Sequence, residues 1–187
     1  MKTLLFLIFL FLSYTSKSQK IACDSIPWTN NGKLKWSDFK GKSDTTSKYG
    51  AVSYNTITYE LSRGDDTVNI YLKCFFSPCN SWRKQGCNDE IGLIHEQTHF
   101  NIVQYFKRLF IKRILEKEFS RANIVKELKE IYETIVEEWD IVDKKYDAET
   151  DYSRNKKLQY RWAEKCNKLI DGLNNYDKSE IHFILRS

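Results

Sequence analysis

The chain has 187 residues, of which 41% are hydrophobic and 29% charged. This length is typical of one domain and excludes a miniature fold that needs metals or disulfides to replace a core. The formal net charge of +5 is a mild excess in which basic and acidic residues interleave, so it gives no argument for nucleic-acid binding.

The N-terminus carries a short basic start, an almost unbroken apolar run from Thr3 to Leu12, and then small polar residues. A membrane-spanning helix needs about 20 apolar residues, so this run is too short to be one. The pattern predicts a signal peptide over residues 1–19 and one mature domain over residues 20–187, in a secreted or periplasmic protein. A lipid anchor on Cys23 is the weaker alternative, because the residues before it match an attachment site poorly.

Cysteine usage fits an oxidising compartment, where disulfides form. Cys79 and Cys87 flank a turn-like segment and are candidates to close a small loop, although sequence alone does not give the pairing. No C-x-x-C pair exists, which argues against a cysteine zinc site. The chain has five cysteines in all: Cys23, Cys74, Cys79, Cys87 and Cys166.

A β-hairpin is predicted in the first half of the mature chain. Gly50–Ser62 and Thr67–Phe76 both alternate between apolar and polar residues, which is the period of a half-buried strand. Arg63-Gly64-Asp65-Asp66 lies between them and is a turn signal. The two runs therefore predict two antiparallel strands.

Helical periodicity begins at about residue 88 and continues through three segments. Asn88 or Asp89 is the expected N-cap of the first helix, which extends to about Phe119. Ser120 and Asn123 are candidate caps for the second. A third helix is expected over about 153–173. The fold class is therefore α+β, with an N-terminal β-hairpin or small sheet packed on a C-terminal three-helix bundle.

His95-Glu96-Gln97-Thr98-His99 is the most informative motif. Residues four apart lie on one face of a helix, so two imidazoles there can share one Zn²⁺. The glutamate between them is then placed to act as general base toward a water on the metal. A catalytic zinc usually has three protein ligands, so one more must come from elsewhere in the chain. The extended H-E-x-x-H-x-x-G-x-x-H motif is absent, because Ile102 and Tyr105 occupy its later positions.

The position of the third ligand follows from an antiparallel arrangement of the first two helices. If the chain reverses near Ser120, the level of Gln97 meets the level of about Asp143. Allowing for uncertain helix ends, the search window is 140–152. Its candidate ligands are Asp140, Asp143, Asp147, Glu149, Asp151 and Tyr152.

The flanks of the motif and one later segment of the chain add a second line of information. Leu93–Ile102, preceded by Ser81-Trp82, and Tyr146–Thr150, followed by Gln159 and Trp162, resemble the bacterial family of predicted secreted zinc-dependent proteases. The resemblance extends from about Trp36 to Trp162. It implies a secreted, zincin-like α+β domain with peptidase activity, and it implies no particular substrate.

The resemblance also marks one departure. In that family the segment after Tyr-Asp-x-x-Thr usually continues with one residue and a histidine, whereas this chain has Asp151 and then Tyr152. If that histidine is the third ligand, either Tyr152 ligates through its phenolate or Asp147 takes over. Both alternatives remain open at this stage.

The sequence thus predicts a zinc-dependent metalloprotease that hydrolyses peptide bonds, with His95 and His99 as ligands and Glu96 as general base. An exposed edge of the β-hairpin is expected to align the peptide or protein substrate by adding it as a strand. Gln159 is a candidate to orient a ligand, and His182 a candidate donor to the oxyanion. The alternative is a non-catalytic secreted binding module that keeps the fold with a degenerate metal site.

Overall fold

The computed structural model describes residues 23–185, so the predicted signal peptide lies outside the described residues. The architecture is α+β, with a small antiparallel sheet and three helices, as predicted. No helix in this range is both long and apolar enough to cross a membrane. The strands are β1 (Ile26–Pro27), β2 (Ala51–Val52), β3 (Asn55–Arg63), β4 (Thr67–Phe76), β5 (Trp82–Arg83) and β6 (Glu180–Ile184). The helices are α1 (Glu90–Glu116), α2 (Ile124–Thr150) and α3 (Lys156–Asp171).

The predicted hairpin forms the centre of the main sheet. β3 and β4 pair in antiparallel register from Asn55 opposite Phe76 to Arg63 opposite Val68. Alternate residues of β4 are buried against the helices, since successive side chains of a strand point to opposite faces. Phe76, for example, lies 6.2 Å from Phe100 of α1 between ring centroids. Burial of each such large apolar side chain contributes about 1.5–3 kcal/mol.

The second edge of β4 is occupied by two short strands from the ends of the chain. β1 pairs with Phe75 and Phe76, while β6 pairs with residues 67–71. β6 was not predicted, because a five-residue run is too short to define a period without its partner. β6 contributes Ile181 to the core, where this side chain is buried.

The predicted strand over Gly50–Ser62 is wrong as a single element. It is interrupted at Ser53 and Tyr54, because the residues before and after them pair with different strands. β2 pairs with β5 in a separate two-stranded sheet, and β3 begins at Asn55. At the break the Ser53 N–H donates to Glu96 and the Tyr54 N–H donates to Ser81 Oγ. Side chains therefore replace the strand partner at these two residues.

The helices agree with the predicted pattern to within a few residues. Asp89 caps α1 by accepting from the Gly92 N–H at 2.8 Å, a contact of a kind that contributes about 1 kcal/mol. Asn123 lies at the N-cap position of α2, so Ser120 is not the cap. Apolar residues of α2 recur at helical spacing on the face that packs on the core, and Ile124, Leu128, Ile135 and Tyr146 are all buried.

The disulfide joins Cys23 to Cys79, so the candidate pairing of Cys79 with Cys87 is wrong. Cys87 is a free thiol, and so are the buried Cys74 and Cys166. The sequence could not give this bond because its cysteines lie 56 residues apart. A sulfur in a disulfide cannot also carry a lipid, so this pairing contradicts the lipid-anchor alternative for Cys23.

Candidate metal centre

The second turn of α1 carries the His/Glu motif toward α2. His95 is 7% exposed, and its Nε2 atom lies 3.1 Å from Nε2 of His99. The ring planes are almost perpendicular, at 89°. The four-residue spacing therefore brings the two ring nitrogens to one point, as the sequence predicts.

Asp147 of α2 completes a triangle with these two nitrogens. Its Oδ1 atom lies 3.2 Å from Nε2 of His95 and 3.1 Å from Nε2 of His99. Ligands held tetrahedrally at about 2.0–2.1 Å from a zinc ion are separated by about 3.3 Å, so the triangle has the size of one face of a zinc site. All three ligand atoms belong to a single group of potential metal-binding residues.

The surroundings of the Asp147 carboxylate also fit a metal site. Its Oδ1 atom is buried and makes no hydrogen bond, although both imidazoles are close to it. A buried acceptor without a donor is unfavourable, and a cation between the three atoms removes that cost. The residues present therefore fit a divalent metal with two nitrogen ligands and one oxygen ligand, a donor set that zinc accepts.

The far side of each imidazole faces an acceptor. Nδ1 of His95 lies 3.1 Å from Oε1 of Gln159, and Nδ1 of His99 lies 2.6 Å from Oδ1 of Asp143. Both Nδ1 atoms are therefore assigned the proton, which leaves the lone pairs of both Nε2 atoms directed at the triangle. This is the tautomer that a metal ligand requires.

Tyr146 holds the two rings and the glutamine in place. Its ring stacks on His95 at 4.8 Å between centroids and contacts His99 edge-on. Its hydroxyl donates to the His95 carbonyl oxygen and accepts from Nε2 of Gln159. Gln159 is fully buried, so its predicted role in orienting a histidine has the required contact.

The electrostatics of the site favour a positive charge within the triangle. Burial alone would lower the pKa of His99, but Asp143 and Asp147 outweigh it and hold that pKa well above its ordinary value. Burial would likewise raise the pKa of Asp147, yet the two imidazoles hold it well below the usual range. Burial raises the pKa of Tyr146, which stays a neutral phenol. A metal ion would meet an anionic, acceptor-rich site.

Glu96 contacts the segment that follows β2. Its Oε2 atom accepts the Ser53 N–H at 2.9 Å, and the residue is 6% exposed. The contact fixes the carboxylate beside the histidines, where the motif predicts a general base. Ser53 was not singled out in the sequence, because nothing in the pattern brings residue 53 to residue 96.

A cavity of about 570 Å³ opens over the site. Its floor contains the triangle and Glu96, and two loops form its mouth, residues 48–50 before β2 on one side and 152–154 after α2 on the other. Tyr152 lines this cavity and packs on Tyr49 across the mouth, with 5.4 Å between ring centroids. The structure therefore brings Tyr152 into the same cavity, while Asp147 is the residue that lies within the ligand triangle.

The loop that carries Tyr152 has an unusual backbone. Asp151, Tyr152 and Ser153 have φ values of 47°, 51° and 73°, in the left-handed region. Such a conformation costs of order 1 kcal/mol or more for each residue that is not glycine. α2 ends immediately before it, where the Tyr152 N–H donates to the Asp147 carbonyl oxygen. The strained loop is thus attached directly to the residue of the triangle.

The remaining candidates have other partners. Asp143 contacts His99 from outside the triangle, on the Nδ1 side. His182 bonds to Asn69 near the far end of β4 and does not line the cavity, so its candidate role as oxyanion donor is wrong. The other acids are engaged elsewhere, Asp140 with Lys144, Glu149 with Trp162 and Asp151 with Arg154.

Comparisons of the chain with models of protein families, with curated proteins and with solved structures find no match. The resemblance to secreted zinc-dependent proteases therefore remains a prediction from the motifs, and the geometry of the site is the independent observation.

Proposed function

We propose that this protein is a secreted zinc-dependent metallopeptidase with a zincin-like domain. The observation that carries the proposal is the triangle of His95 Nε2, His99 Nε2 and Asp147 Oδ1, with sides of 3.1–3.2 Å. With the proton of each neutral imidazole on Nδ1, three lone pairs converge there, and the raised pKa of His99 supports a preference for positive charge at this point. The Cys23–Cys79 disulfide supports secretion, because such bonds persist in oxidising compartments.

In this proposal each residue of the site has a defined task. His95, His99 and Asp147 would hold the metal, and Gln159 and Asp143 keep the imidazoles oriented toward it. A bound zinc ion supplies Lewis acidity, which lowers the pKa of water toward about 7 and polarises a carbonyl group. Glu96 takes the proton of the attacking water and returns it to the leaving nitrogen. Its contact with the Ser53 N–H keeps the carboxylate in place for both transfers.

The substrate-aligning edge in this proposal is β2 rather than the β3–β4 hairpin. The Lys84 N–H donates to the Gly50 carbonyl oxygen at 2.7 Å, so Gly50 and Lys84 form a hydrogen-bonded pair beside the β2–β5 pairing. Ala51 therefore directs its N–H and C=O away from β5. The Ser53 N–H points the same way and meets Glu96. A peptide strand that hydrogen-bonds to Ala51 would lie about 7 Å, the two-residue repeat of a strand, from the contact between Ser53 and Glu96.

Metal analysis and two substitutions test the function together. The mature protein is expected to bind about one zinc per chain, to lose it in His99→Ala, and to keep it in Glu96→Gln. Cleavage of a casein or peptide-library substrate should be inhibited by a chelator, restored by zinc, and reduced by at least about 100-fold in Glu96→Gln. The control is Glu137→Gln, an exposed glutamate of α2 outside the cavity.

The two alternatives give different results in this experiment. A non-catalytic binding module would bind zinc without any cleavage that depends on Glu96. A protein with no zinc after purification in zinc-containing buffer would contradict the metal site itself.

A further inference from the structure

A lysine side chain lies at the mouth of the cavity. In the part of the chain that the structure describes, the lysine and arginine side chains that line the cavity are Lys48 and Arg154. Arg154 pairs with Asp151 at 3.2 Å. Among residues 23–185, no carboxylate lies within ion-pair distance of Lys48.

The acidic residues of the cavity are already committed to other groups. Glu96 accepts the Ser53 N–H, Asp143 contacts His99, and Asp89 caps α1. Asp147 belongs to the ligand triangle. The positive charge of Lys48 is therefore left for a group that enters the cavity from outside.

Lys48 is positioned by aromatic rings from both loops. Its Nζ atom lies 5.1 Å from the ring centre of Tyr49 and 5.3 Å from that of Tyr152. A cation within about 6 Å of a ring face is attracted to it, so the two tyrosines restrict where the flexible side chain extends. The strained backbone at 151–153 sets the position of Tyr152 in this arrangement.

The segment before Lys48 is also fixed by local hydrogen bonds. Oδ1 of Asp44 accepts from the backbone N–H and the hydroxyl of Thr46, at 2.9 and 2.7 Å. Nζ of Lys84 donates to the Ser47 carbonyl oxygen. This loop therefore presents Lys48 from an ordered turn, even though the side chain is exposed to solvent.

We propose that Lys48, with Tyr49 and Tyr152, forms a subsite that selects substrates carrying a carboxylate close to the bond that is cleaved. The inference rests on the proposed peptidase function and names the class of substrate. An ammonium group beside two tyrosine rings matches an anionic group attached to an apolar stem. That carboxylate belongs either to an Asp or Glu side chain or to the C-terminus of a peptide.

The test compares matched peptides on matched variants. Fluorogenic peptides that carry Glu or Gln at each position around the cleaved bond are assayed with the zinc-loaded protein. We expect a preference for Glu at one position that falls about two- to fivefold in Lys48→Ala. Lys48→Glu is expected to reverse it in favour of Lys at that position. The control is Lys42→Ala, an exposed lysine of the same segment that does not line the cavity.

Two further comparisons identify the source of the carboxylate. Peptides with a free or an amidated C-terminus distinguish a terminal carboxylate from a side-chain one, since only the former preference disappears on amidation. Raising the salt concentration should weaken either preference, because the pair is exposed. Equal cleavage of Glu and Gln peptides together with equal cleavage of free and amidated C-termini, or an equal change in Lys48→Ala and Lys42→Ala, would overturn the inference while leaving the peptidase function intact.

Binding provides a readout that does not depend on cleavage. The zinc-loaded Glu96→Gln protein is titrated with labelled Glu and Gln peptides and followed by fluorescence anisotropy. The Glu peptide is expected to bind more tightly, and the difference to vanish when Lys48→Ala is added. No difference between Glu and Gln peptides, combined with no difference between free and amidated C-termini, overturns the subsite, whereas failure of the wild-type protein to cleave any peptide overturns the proposed function.

Discussion

The floor and the mouth of the cavity are built in different ways. The floor lies on α1, α2 and α3, where side chains are buried or half-buried and the histidines, Asp143, Gln159 and Tyr146 hold one another by hydrogen bonds and stacking. The mouth lies on two exposed loops, with a lysine, two tyrosines and three residues in left-handed conformation. Rigid helices fix the distances that a metal requires, and the loops carry the groups that an incoming molecule meets first.

The largest effect is expected from the two substitutions that test whether Asp147 of the floor or Tyr152 of the mouth is the third ligand. Asp147→Asn should reduce zinc affinity by more than about 100-fold, because it removes an anionic ligand from the triangle. Tyr152→Phe should leave zinc affinity within about twofold, because Tyr152 packs on Tyr49 at the mouth. Competition with a fluorescent zinc chelator measures both values.

The opposite outcome is equally informative. Zinc binding that survives in Asp147→Asn but is lost in Tyr152→Phe would assign the third ligand to the position that the family resemblance marks. It would also require the loop over 151–154 to rearrange when metal binds.

A smaller effect is expected from the groups behind the histidines. Asp143→Ala should weaken zinc binding by about 10- to 100-fold, since the His99 Nδ1–H then has no carboxylate to orient it. Gln159→Leu should act in the same direction through His95. Asp140→Ala is the matched control, because this acid lies on the same helix but pairs with Lys144.

These variants also distinguish the two parts of the cavity kinetically. Substitutions in the floor should lower activity in proportion to zinc loss, and added zinc should restore part of it. An activity loss in Asp143→Ala that excess zinc leaves unchanged, with full metal content, would contradict a purely orienting role for Asp143.

The difference between floor and mouth also explains which contacts could be predicted from the sequence. Helix positions follow from a period of 3.6 residues, so reversal near Ser120 was enough to bring residue 97 level with residue 143. The observed contacts of His99 with Asp143 and of His95 with Tyr146 agree with that pairing. Asp147 was therefore among the candidates before the structure was known.

Contacts between distant loops have no such period. The Ser53 N–H reaches Glu96, and Cys23 reaches Cys79, only because the whole fold brings them together. The break between β2 and β3 coincides with the contacts of Ser53 with Glu96 and of Tyr54 with Ser81, so the alternation of Gly50–Ser62 gives no sign of it. The position of Tyr152 likewise depends on three left-handed residues that sequence propensity disfavours.

The smallest effect is expected from relieving the strain of the mouth. Ser153 has a φ of 73°, which glycine adopts without the steric cost that a Cβ atom imposes. Ser153→Gly should therefore raise the free energy of unfolding by up to about 1 kcal/mol, measured by urea denaturation of the zinc-loaded protein. Zinc affinity should not change, because the floor does not depend on this residue. Ser62→Gly, at an exposed position of β3, is the control and should instead destabilise the protein, because glycine weakens a strand. A Ser153→Gly protein that is less stable than the wild type would show that the Ser153 side chain contributes more to the loop than its backbone costs.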